Sequence, residues 1–192
     1  MKCLSTFYTA LYVAASTSVV SAQDFSGSGE IHIINSTDFG SATPAESIGC
    51  LDVNGAFTTS LDSGCATFTR LAQSPGTVST DAGNCSFTDA SQPANTDNPY
   101  GANSYAWHCR PDFAAAATDS LYTVKGFNYP FLCHGDINCY YDVKNNMISR
   151  NGTAPVWGYV WGSRQTTIPA GHSQVLWYWK QTSTDAAASG ES

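Results

Sequence analysis

The amino-acid sequence predicts an all-β fold, a sandwich or barrel of short antiparallel strands that disulfides stabilise, with little helix. Short runs rich in β-branched and aromatic residues recur along the chain between clusters of Gly, Pro, Asn, Asp and Ser. No stretch carries apolar residues at sustained helical spacing. Six of the seven cysteines follow an N-terminal segment typical of exported proteins, so disulfides are expected to reinforce the core.

The first 22 residues have the composition of a secretory signal peptide. Lys2 provides the positive start, residues 7–15 form a short and mostly apolar run, and Val20-Ser21-Ala22 places small residues before a cleavage site. The apolar run is shorter than the ~20 residues that span a bilayer. Removal of the first 22 of 192 residues leaves 170. We expect this mature chain to be secreted and to hold one domain over residues 23–181. Residues 182–192 are small and polar and predict a disordered tail.

Six cysteines remain in the mature chain, because Cys3 is removed with the signal peptide. An even number of cysteines in an exported protein predicts disulfides and no free thiol. Six cysteines allow fifteen connectivities, and sequence alone does not choose among them. Short loops close most readily, which favours the neighbouring pairs Cys50–Cys65, Cys85–Cys109 and Cys133–Cys139.

The charge of the protein argues against several classes of partner. The formal net charge is −7, and it becomes −8 when Lys2 leaves with the signal peptide. The remaining basic residues are scattered singly, whereas binding to nucleic acid needs a basic patch. Anionic membranes are disfavoured for the same reason. We therefore expect no membrane partner, and no nucleic-acid partner unless the protein is a nuclease. We also expect a monomer.

The strand predictions follow the chain in order. Residues 31–34 form a first strand, and Asn54-Gly55, between two β-prone runs, is the strongest hairpin signal. Residues 88–104 are mostly Asn, Asp, Pro, Gly, Ser and Ala, which predicts a long surface loop. Residues 114–117 are the only helix-like patch and are too few for a helix. Further strands are predicted at residues 65–71, 78–79, 85–87, 105–109, 121–124, 156–161 and 174–179.

The stretch from Tyr129 to Asp142 is the segment around which we expect function to be organised. Apolar and aromatic residues flank a five-residue loop between Cys133 and Cys139. His134 and Asp136 lie inside this loop with a glycine between them. A neighbouring carboxylate raises the pKa of a histidine and keeps the ring charged. The pair is therefore a candidate for acid–base chemistry, and equally for an ordinary structural turn.

A metal site in the same loop is not expected. Cys133, His134, Asp136 and Cys139 carry ligand-type side chains. Two cysteines this close in an exported protein should oxidise, which leaves only His134, Asp136 and His108 as ligands. We predict no metal and no cofactor.

Several enzyme classes lack their sequence signals. Secreted copper monooxygenases resemble one another in using an N-terminal histidine as a ligand, whereas the predicted mature terminus is Gln23. No segment matches the G-x-S-x-G elbow of many serine hydrolases. No recognisable spacing joins Glu30 or Glu46 to a second carboxylate, as a glycosidase would need.

A small secreted ribonuclease is the strongest enzyme alternative, ahead of a glycosidase. Such enzymes are acidic, disulfide-bonded β proteins that use His, Glu and Arg for general acid–base chemistry. His108 and Arg110 lie close together in the sequence, and Glu30, Glu46, His134 and His172 supply further groups. The candidate catalytic residues are His134, Asp136, His108 and Arg110.

Two aromatic runs near the C-terminus have two interpretations. Alternate residues of a strand share a face, so Trp157 and Trp161 are expected together, as are Trp177 and Trp179. A solvent-facing row of rings would stack on sugars, and a buried row would form the core. The core is favoured, and these four tryptophans are at the same time the candidate binding residues.

Three N-x-S/T sequons, at Asn35, Asn84 and Asn151, predict exposed glycosylation sites. Asn84 precedes Cys85, so a glycan there competes with disulfide formation and is the least secure of the three.

The cysteine-bearing segments carry a family resemblance. Together they resemble small cysteine-rich secreted proteins of filamentous fungi, over roughly residues 45 to 180. The resemblance implies an extracellular effector or elicitor that binds a host protein, a cell-wall polysaccharide or a target on a competing microbe, and it transfers no catalytic residue. The segments are Ile48-Gly49-Cys50-Leu51, Cys65-Ala66-Thr67-Phe68-Thr69, Gly83-Asn84-Cys85-Ser86-Phe87, Tyr105-Ala106-Trp107-His108-Cys109 and residues 131–142.

Overall fold

A computed structural model describes residues 25–114, 120–135, 139–145, 152–164 and 166–184. Within them, thirteen strands form a curled antiparallel sheet, and the helical content is two short 3₁₀ helices, Pro44–Glu46 and Gly101–Asn103. The all-β prediction is confirmed. The signal peptide, residues 115–117, Asp136, Asn151 and residues 185–192 lie outside the described residues.

The strands are numbered in chain order. They are β1 Ser28–Ile34, β2 Ser47–Leu51, β3 Phe57–Thr58, β4 Phe68–Arg70, β5 Val78–Thr80, β6 Gly83–Ser86, β7 His108–Arg110, β8 Leu121–Thr123, β9 Phe131–His134, β10 Tyr141–Lys144, β11 Thr153–Ala154, β12 Val156–Gly158 and β13 His172–Ser183. The last strand takes in Thr182 and Ser183, the first two residues of the predicted polar tail.

The longest strands, β1 and β13, organise the sheet. They pair antiparallel along the whole of β1, with Ile31 opposite Trp179 and Ile33 opposite Trp177. On its other edge β1 pairs with β2 and β4, from which the sheet continues in both directions in the order β11-β3-β2-β1-β4-β5-β6-β7. β13 also pairs with β9 and β10, and these strands pair with β8 and β12 respectively.

Alternation along β13 separates two hydrophobic clusters. Val175, Trp177 and Trp179 enter the main core, and Leu176 and Tyr178 enter a smaller cluster with Phe131. This follows from the period of two residues with which side chains change faces along a strand. The main core is formed by buried Ile, Leu, Val, Phe, Tyr and Trp side chains from most of the strands.

The predicted hairpin and the predicted disulfides are confirmed. Asp52 Oδ1 accepts hydrogen bonds from the backbone N–H groups of Asn54 and Ala56, both at 2.9 Å, and Gly55 takes the positive φ of 86° that the turn needs. The bridges are Cys50–Cys65, Cys85–Cys109 and Cys133–Cys139, as neighbour pairing predicted.

The polar segment 88–104 differs from its prediction, and a buried carboxylate follows the central loop. Residues 88–104 do not form a simple surface loop, because Asp89, Asn95 and Asn98 are buried, each 2–3% exposed. The region after the second loop cysteine also contains β10, in which Asp142 lies fully buried between Tyr141 and Val143. Polar composition hid both features, since hydrogen bonds make the burial of these side chains possible. None of the helices in the described part of the chain has the length and apolar character needed to cross a membrane.

Candidate functional site

His134 lies at the end of β9 inside an aromatic enclosure. Its ring contacts those of Phe87 and Tyr141, with centroids 4.6 and 5.4 Å away, and the side chain of a non-glycine residue at position 158 would collide with it. His134 is 8% exposed, and among the described residues its Nδ1 has no hydrogen-bond partner. Burial lowers the pKa of His134 to about 4. Burial therefore works against the expected charged ring, whose proposed partner Asp136 lies outside the described residues.

His108 and Arg110 do come together, on β7, and their common partner is a residue that the sequence did not suggest. Arg110 Nη1 lies 3.5 Å from Oδ1 of Asp89, a carboxylate 3% exposed. Burial raises the pKa of Asp89, but hydrogen bonds from Ser91 and the charges of Arg110 and His108 outweigh burial and lower it. Since Oδ1 also accepts bonds from the N–H and the hydroxyl of Ser91, this carboxylate holds its loop in place rather than facing a substrate.

Three of the four candidate binding tryptophans are core residues. Trp177 and Trp179 are 0% exposed and Trp157 is 3% exposed. The Tyr141 ring stacks on that of Trp177 with a centroid distance of 3.7 Å. Their proposed role in binding is wrong, and the alternative, a buried row of rings, is correct for them.

Trp161 is different, because 70% of it is exposed. The predicted strand over residues 156–161 ends at Gly158, so Trp161 does not share a strand face with Trp157. It lies instead in the turn that follows β12. Trp161 is therefore the one proposed binding tryptophan that is available to a ligand.

A buried polar network centres on His172. Its Nδ1 lies 2.6 Å from Oδ1 of Asp142, and its Nε2 lies 3.0 Å from Oδ2 of Asp97. Asn95 donates from Nδ2 to the other Asp142 oxygen at 2.8 Å. Lys144 forms an ion pair with Asp97. Asp142 and the His172 side chain are 0% exposed, whereas Asp97 is 41% exposed.

The network holds its members in place by hydrogen bonds and leaves no member free to react with a substrate. Burial raises the pKa of Asp142 even though His172 and Asn95 donate hydrogen bonds to it. Hydrogen bonds from Lys144 and His172 lower the pKa of Asp97. Both ring nitrogens of His172 already have carboxylate partners, so neither is available to a substrate. These hydrogen bonds attach residues 95–97 to the strands β10 and β13.

The loop held by these hydrogen bonds in turn positions the turn that carries Trp161. Asn98 donates from Nδ2 to the carbonyl of Val160 at 2.6 Å. The Arg164 N–H donates to the Tyr100 hydroxyl at 2.7 Å. Gly162 lies against the Tyr100 ring so closely that a Cβ there would be 2.7 Å from Cζ. We call Trp161, Tyr100 and Arg164 the Trp161 platform.

A possible ligand cluster for a metal ion lies elsewhere, on β1. One ligand atom each from Glu30, His32 and Cys65 lie within 4.8 Å of one another. Cys65 is bonded to Cys50, and a disulfide sulfur lacks the thiolate charge that metal binding uses. Only two ligands remain, so the cluster is not a metal centre in the oxidised protein.

The two described sequons differ in their surroundings. Asn35 is exposed and follows the end of β1. Asn84 lies within β6, is half-buried and donates from Nδ2 to the carbonyl of Phe113 at 2.8 Å. The amide nitrogen that a glycan would occupy is therefore already used at position 84.

No protein-family model, curated protein sequence or solved structure matches the chain. The function is therefore argued from the geometry of the site.

Proposed function

We propose that the protein is secreted, that it acts outside the cell as an effector- or elicitor-like binding protein, and that the Trp161 platform contacts its ligand. The observation that supports this most directly is the 70% exposure of Trp161 on a turn whose backbone is tied down. The exposed indole offers a large apolar face, with a polar N–H, that a ligand can cover. Tryptophan is also among the residues that contribute most to binding energy at interfaces.

Preorganisation adds to the case. The bonds Asn98–Val160 and Arg164–Tyr100 fix the turn on both sides of the ring, and the His172 network fixes the loop that supplies Asn98. A surface that is rigid before binding loses little conformational entropy when a ligand arrives. A rigid aromatic side chain on a β scaffold is therefore suited to recognition.

The ligand class that fits best is an uncharged cell-wall polysaccharide. A sugar presents an apolar C–H face to the indole ring, and its hydroxyls meet the polar groups of Tyr100 and Arg164. The net charge of −8 for the mature chain disfavours polyanions such as nucleic acid and anionic membranes. A host extracellular protein is the other partner that this surface suits, and the experiment below separates the two.

A ribonuclease or glycosidase receives less support from the described residues. A ribonuclease or glycosidase needs two acid–base groups that face one substrate. His134 contacts Phe87 and Tyr141, whereas His108 and Arg110 act on Asp89. His172 and Asp142 are enclosed. The candidate groups of the hydrolase interpretation therefore do not form one reactive site.

Pull-down on insoluble polysaccharides tests the proposal. Mature protein is incubated with chitin, cellulose and β-glucan, and Trp161→Ala is compared with wild type. Leu61→Ala is the matched control, because Leu61 is also an exposed apolar side chain, 44% exposed. We expect Trp161→Ala to weaken binding at least about tenfold, equivalent to about 1.4 kcal/mol, and Leu61→Ala to bind as wild type does.

Equal binding by all three proteins would overturn the role of the Trp161 platform. The alternative result is that wild type binds no polysaccharide and captures a purified host extracellular protein only when Trp161 is present. That result would support the Trp161 platform as the binding surface and would reject a polysaccharide as its ligand.

A further inference from the structure

Five polar side chains meet on the outer face of the central strands, away from the main core. Glu30 and His32 project from β1 on the face opposite Ile31 and Ile33. Lys180 and Tyr178 lie opposite them on β13, and Ser47 begins β2. Because the three strands are hydrogen-bonded to one another, the cluster rests on a rigid support.

The distances in this cluster form a chain from carboxylate to imidazole to hydroxyl. His32 Nε2 lies 2.7 Å from Glu30 Oε2, and His32 Nδ1 lies 3.3 Å from Ser47 Oγ. A nucleophile within reach of a base, with the base oriented by a third group, is the arrangement of an activated serine. Such arrangements are recognised by geometry and not by sequence position, so the missing G-x-S-x-G motif does not argue against this one.

The electrostatics of the cluster suit the role. Burial raises the pKa of Glu30, but hydrogen bonds from His32 and Lys180 outweigh burial and lower it below its usual value. Lys180 Nζ lies 3.0 Å from the same oxygen that His32 contacts. Glu30 therefore stays ionised, holds the imidazole through Nε2–H and leaves Nδ1 to accept a proton from Ser47.

A second acceptor competes with His32 for the Ser47 hydroxyl proton. Ser47 Oγ is also 3.1 Å from the carbonyl oxygen of Gly49. A hydroxyl has one proton, which goes either to His32 Nδ1 or to that carbonyl. If it always goes to Gly49, Ser47 is part of a structural polar ladder and no activated nucleophile exists.

A groove adjoins the cluster. It encloses about 410 Å³, which lies in the range of small-ligand pockets. Cys65 lines the groove and is the residue whose sulfur lies within 4.8 Å of the Glu30 carboxylate and the His32 ring. Thr69, also in the groove, is 3.0 Å from the hydroxyl of Ser28, two residues before Glu30. The groove lining is Val53, Cys65, Ala66, Thr67, Thr69, Ser79, Thr80 and Asp81.

We infer that Ser47, His32 and Glu30 form a second site, an acyl-transfer centre that hydrolyses small acyl esters of uncharged polyhydroxy compounds. Four hydroxyl side chains and one carboxylate line the groove without any basic residue. That lining suits the hydroxyls of an alcohol portion and disfavours acyl carriers that bear phosphate. The inference is independent of the Trp161 platform.

The reaction balances with water as the co-reactant. Ser47 Oγ attacks the ester carbonyl carbon while its proton moves to His32 Nδ1. The bond from that carbon to the alcohol oxygen breaks, and the alcohol leaves with the proton. Water then attacks the acyl–Ser47 ester, gives a proton to His32, and the carboxylic acid leaves as Ser47 regains its hydrogen. Ser47 and His32 are the catalytic residues, and Glu30 is a positioning residue.

Labelling with a fluorophosphonate probe tests the inference directly. The mature wild-type protein is treated with the probe, digested and analysed by mass spectrometry. We expect a single labelled serine, Ser47, and a loss of label in Ser47→Ala. Ser36→Ala is the matched control, since Ser36 is a surface serine with a hydrogen bond to the backbone of Asp38, and it should label as wild type does.

The base and the positioning residue are tested by rate. His32→Gln should slow labelling and p-nitrophenyl acetate hydrolysis by about 10²–10⁴-fold. Glu30→Gln should slow both, and Glu30→Asp should partly restore them. Far-UV circular dichroism identifies any variant that fails to fold. Leu61→Ala, at an exposed apolar residue outside the cluster and the groove lining, should label at the wild-type rate. Ser47→Ala should bind polysaccharide as wild type does, which separates this inference from the proposed function.

An unlabelled Ser47 in folded wild-type protein would overturn the inference and assign the hydroxyl to Gly49. A label on Ser47 that is indifferent to His32→Gln would overturn it too.

Discussion

His172 Nδ1 lies 2.6 Å from Asp142 Oδ1, and neither side chain is exposed to solvent. The two residues belong to paired strands, with Asp142 opposite Gln174 and Lys144 opposite His172. Their contact crosses the β10–β13 ladder and continues through His172 Nε2 to Asp97. This single relationship connects the sheet to the loop that supports the Trp161 platform.

Breaking the pair should be costly. His172→Ala leaves the Asp142 carboxylate buried with only the Asn95 amide as a side-chain partner. Leaving a buried hydrogen-bonding group without its partner costs about 1–3 kcal/mol, and more for a charged group. We expect the free energy of unfolding in urea to fall by about that amount, and the affinity of the Trp161 platform for its ligand to fall with it.

Asp97→Asn is the matched control at the outer end of the same network. Asp97 is 41% exposed, and exposed ion pairs contribute about 1 kcal/mol or less. A loss of under about 1 kcal/mol in His172→Ala, or equal losses in the two variants, would contradict the idea that the buried end holds the network together.

The three disulfides should differ in their contributions. The bridge Cys85–Cys109 closes 24 residues and Cys133–Cys139 closes 6. In the chain-entropy model a longer loop gains more, about 3–4 kcal/mol for the first and about 2 kcal/mol for the second. We expect the double alanine variant at 85 and 109 to show the larger loss in a urea titration.

The wild-type protein provides the control for this series. Secreted, unreduced protein treated with an alkylating agent should carry no label on any of the six mature cysteines. A labelled cysteine, or a larger loss from the shorter loop, would contradict the prediction.

N-glycosylation should distinguish two of the three sequons. Asn35 is exposed, whereas the Asn84 amide donates to Phe113 within a strand. Enzymatic deglycosylation in ¹⁸O-labelled water followed by peptide mass spectrometry should mark Asn35 and leave Asn84 unmarked. Asn35→Gln should remove that glycan, and a mark on Asn84 would show that β6 forms only after modification.

The elements that the sequence predicted well are those with strong local signals. Asn54-Gly55 marked the hairpin because that turn needs a positive φ at the glycine, which occurs at 86°. The even cysteine number and the closeness of neighbours predicted the three bridges. Both features could be predicted because the interacting residues are near each other in the sequence.

The polar groups of the candidate site were harder to predict, because their partners are distant in sequence. His172 meets Asp142 and Asp97, 30 and 75 residues away. Polar composition in residues 88–104 indicated exposure, yet Asn95 is buried by its bond to Asp142. The aromatic pattern after residue 156 did not show that β12 stops at Gly158. In each case, contacts between residues distant in sequence determined the structure.

The pH dependence of stability should reveal the buried state of His134. Its pKa is about 4 in the folded protein, against 6.5 for an unperturbed ring, so the unfolded chain takes up the proton first as the pH falls. The stabilisation is fully present above about pH 6.5 and is lost as the pH falls to about 4, by about 3 kcal/mol in total. His134→Gln has no titrating ring at this position, so its stability lacks this pH-dependent contribution.

The measurement is the free energy of unfolding in urea for both proteins at pH 7, 5.5 and 4. We expect the advantage of wild type over His134→Gln to shrink by about 3 kcal/mol across that range, because the carboxylates that titrate there are common to both. Polysaccharide binding at pH 7 should be the same for the two proteins, since His134 faces Phe87 and Tyr141 and not the Trp161 platform. Parallel stability curves would mean that the pKa of His134 is the same in the folded and unfolded states. A loss of binding in folded His134→Gln would move the functional site to the disulfide loop.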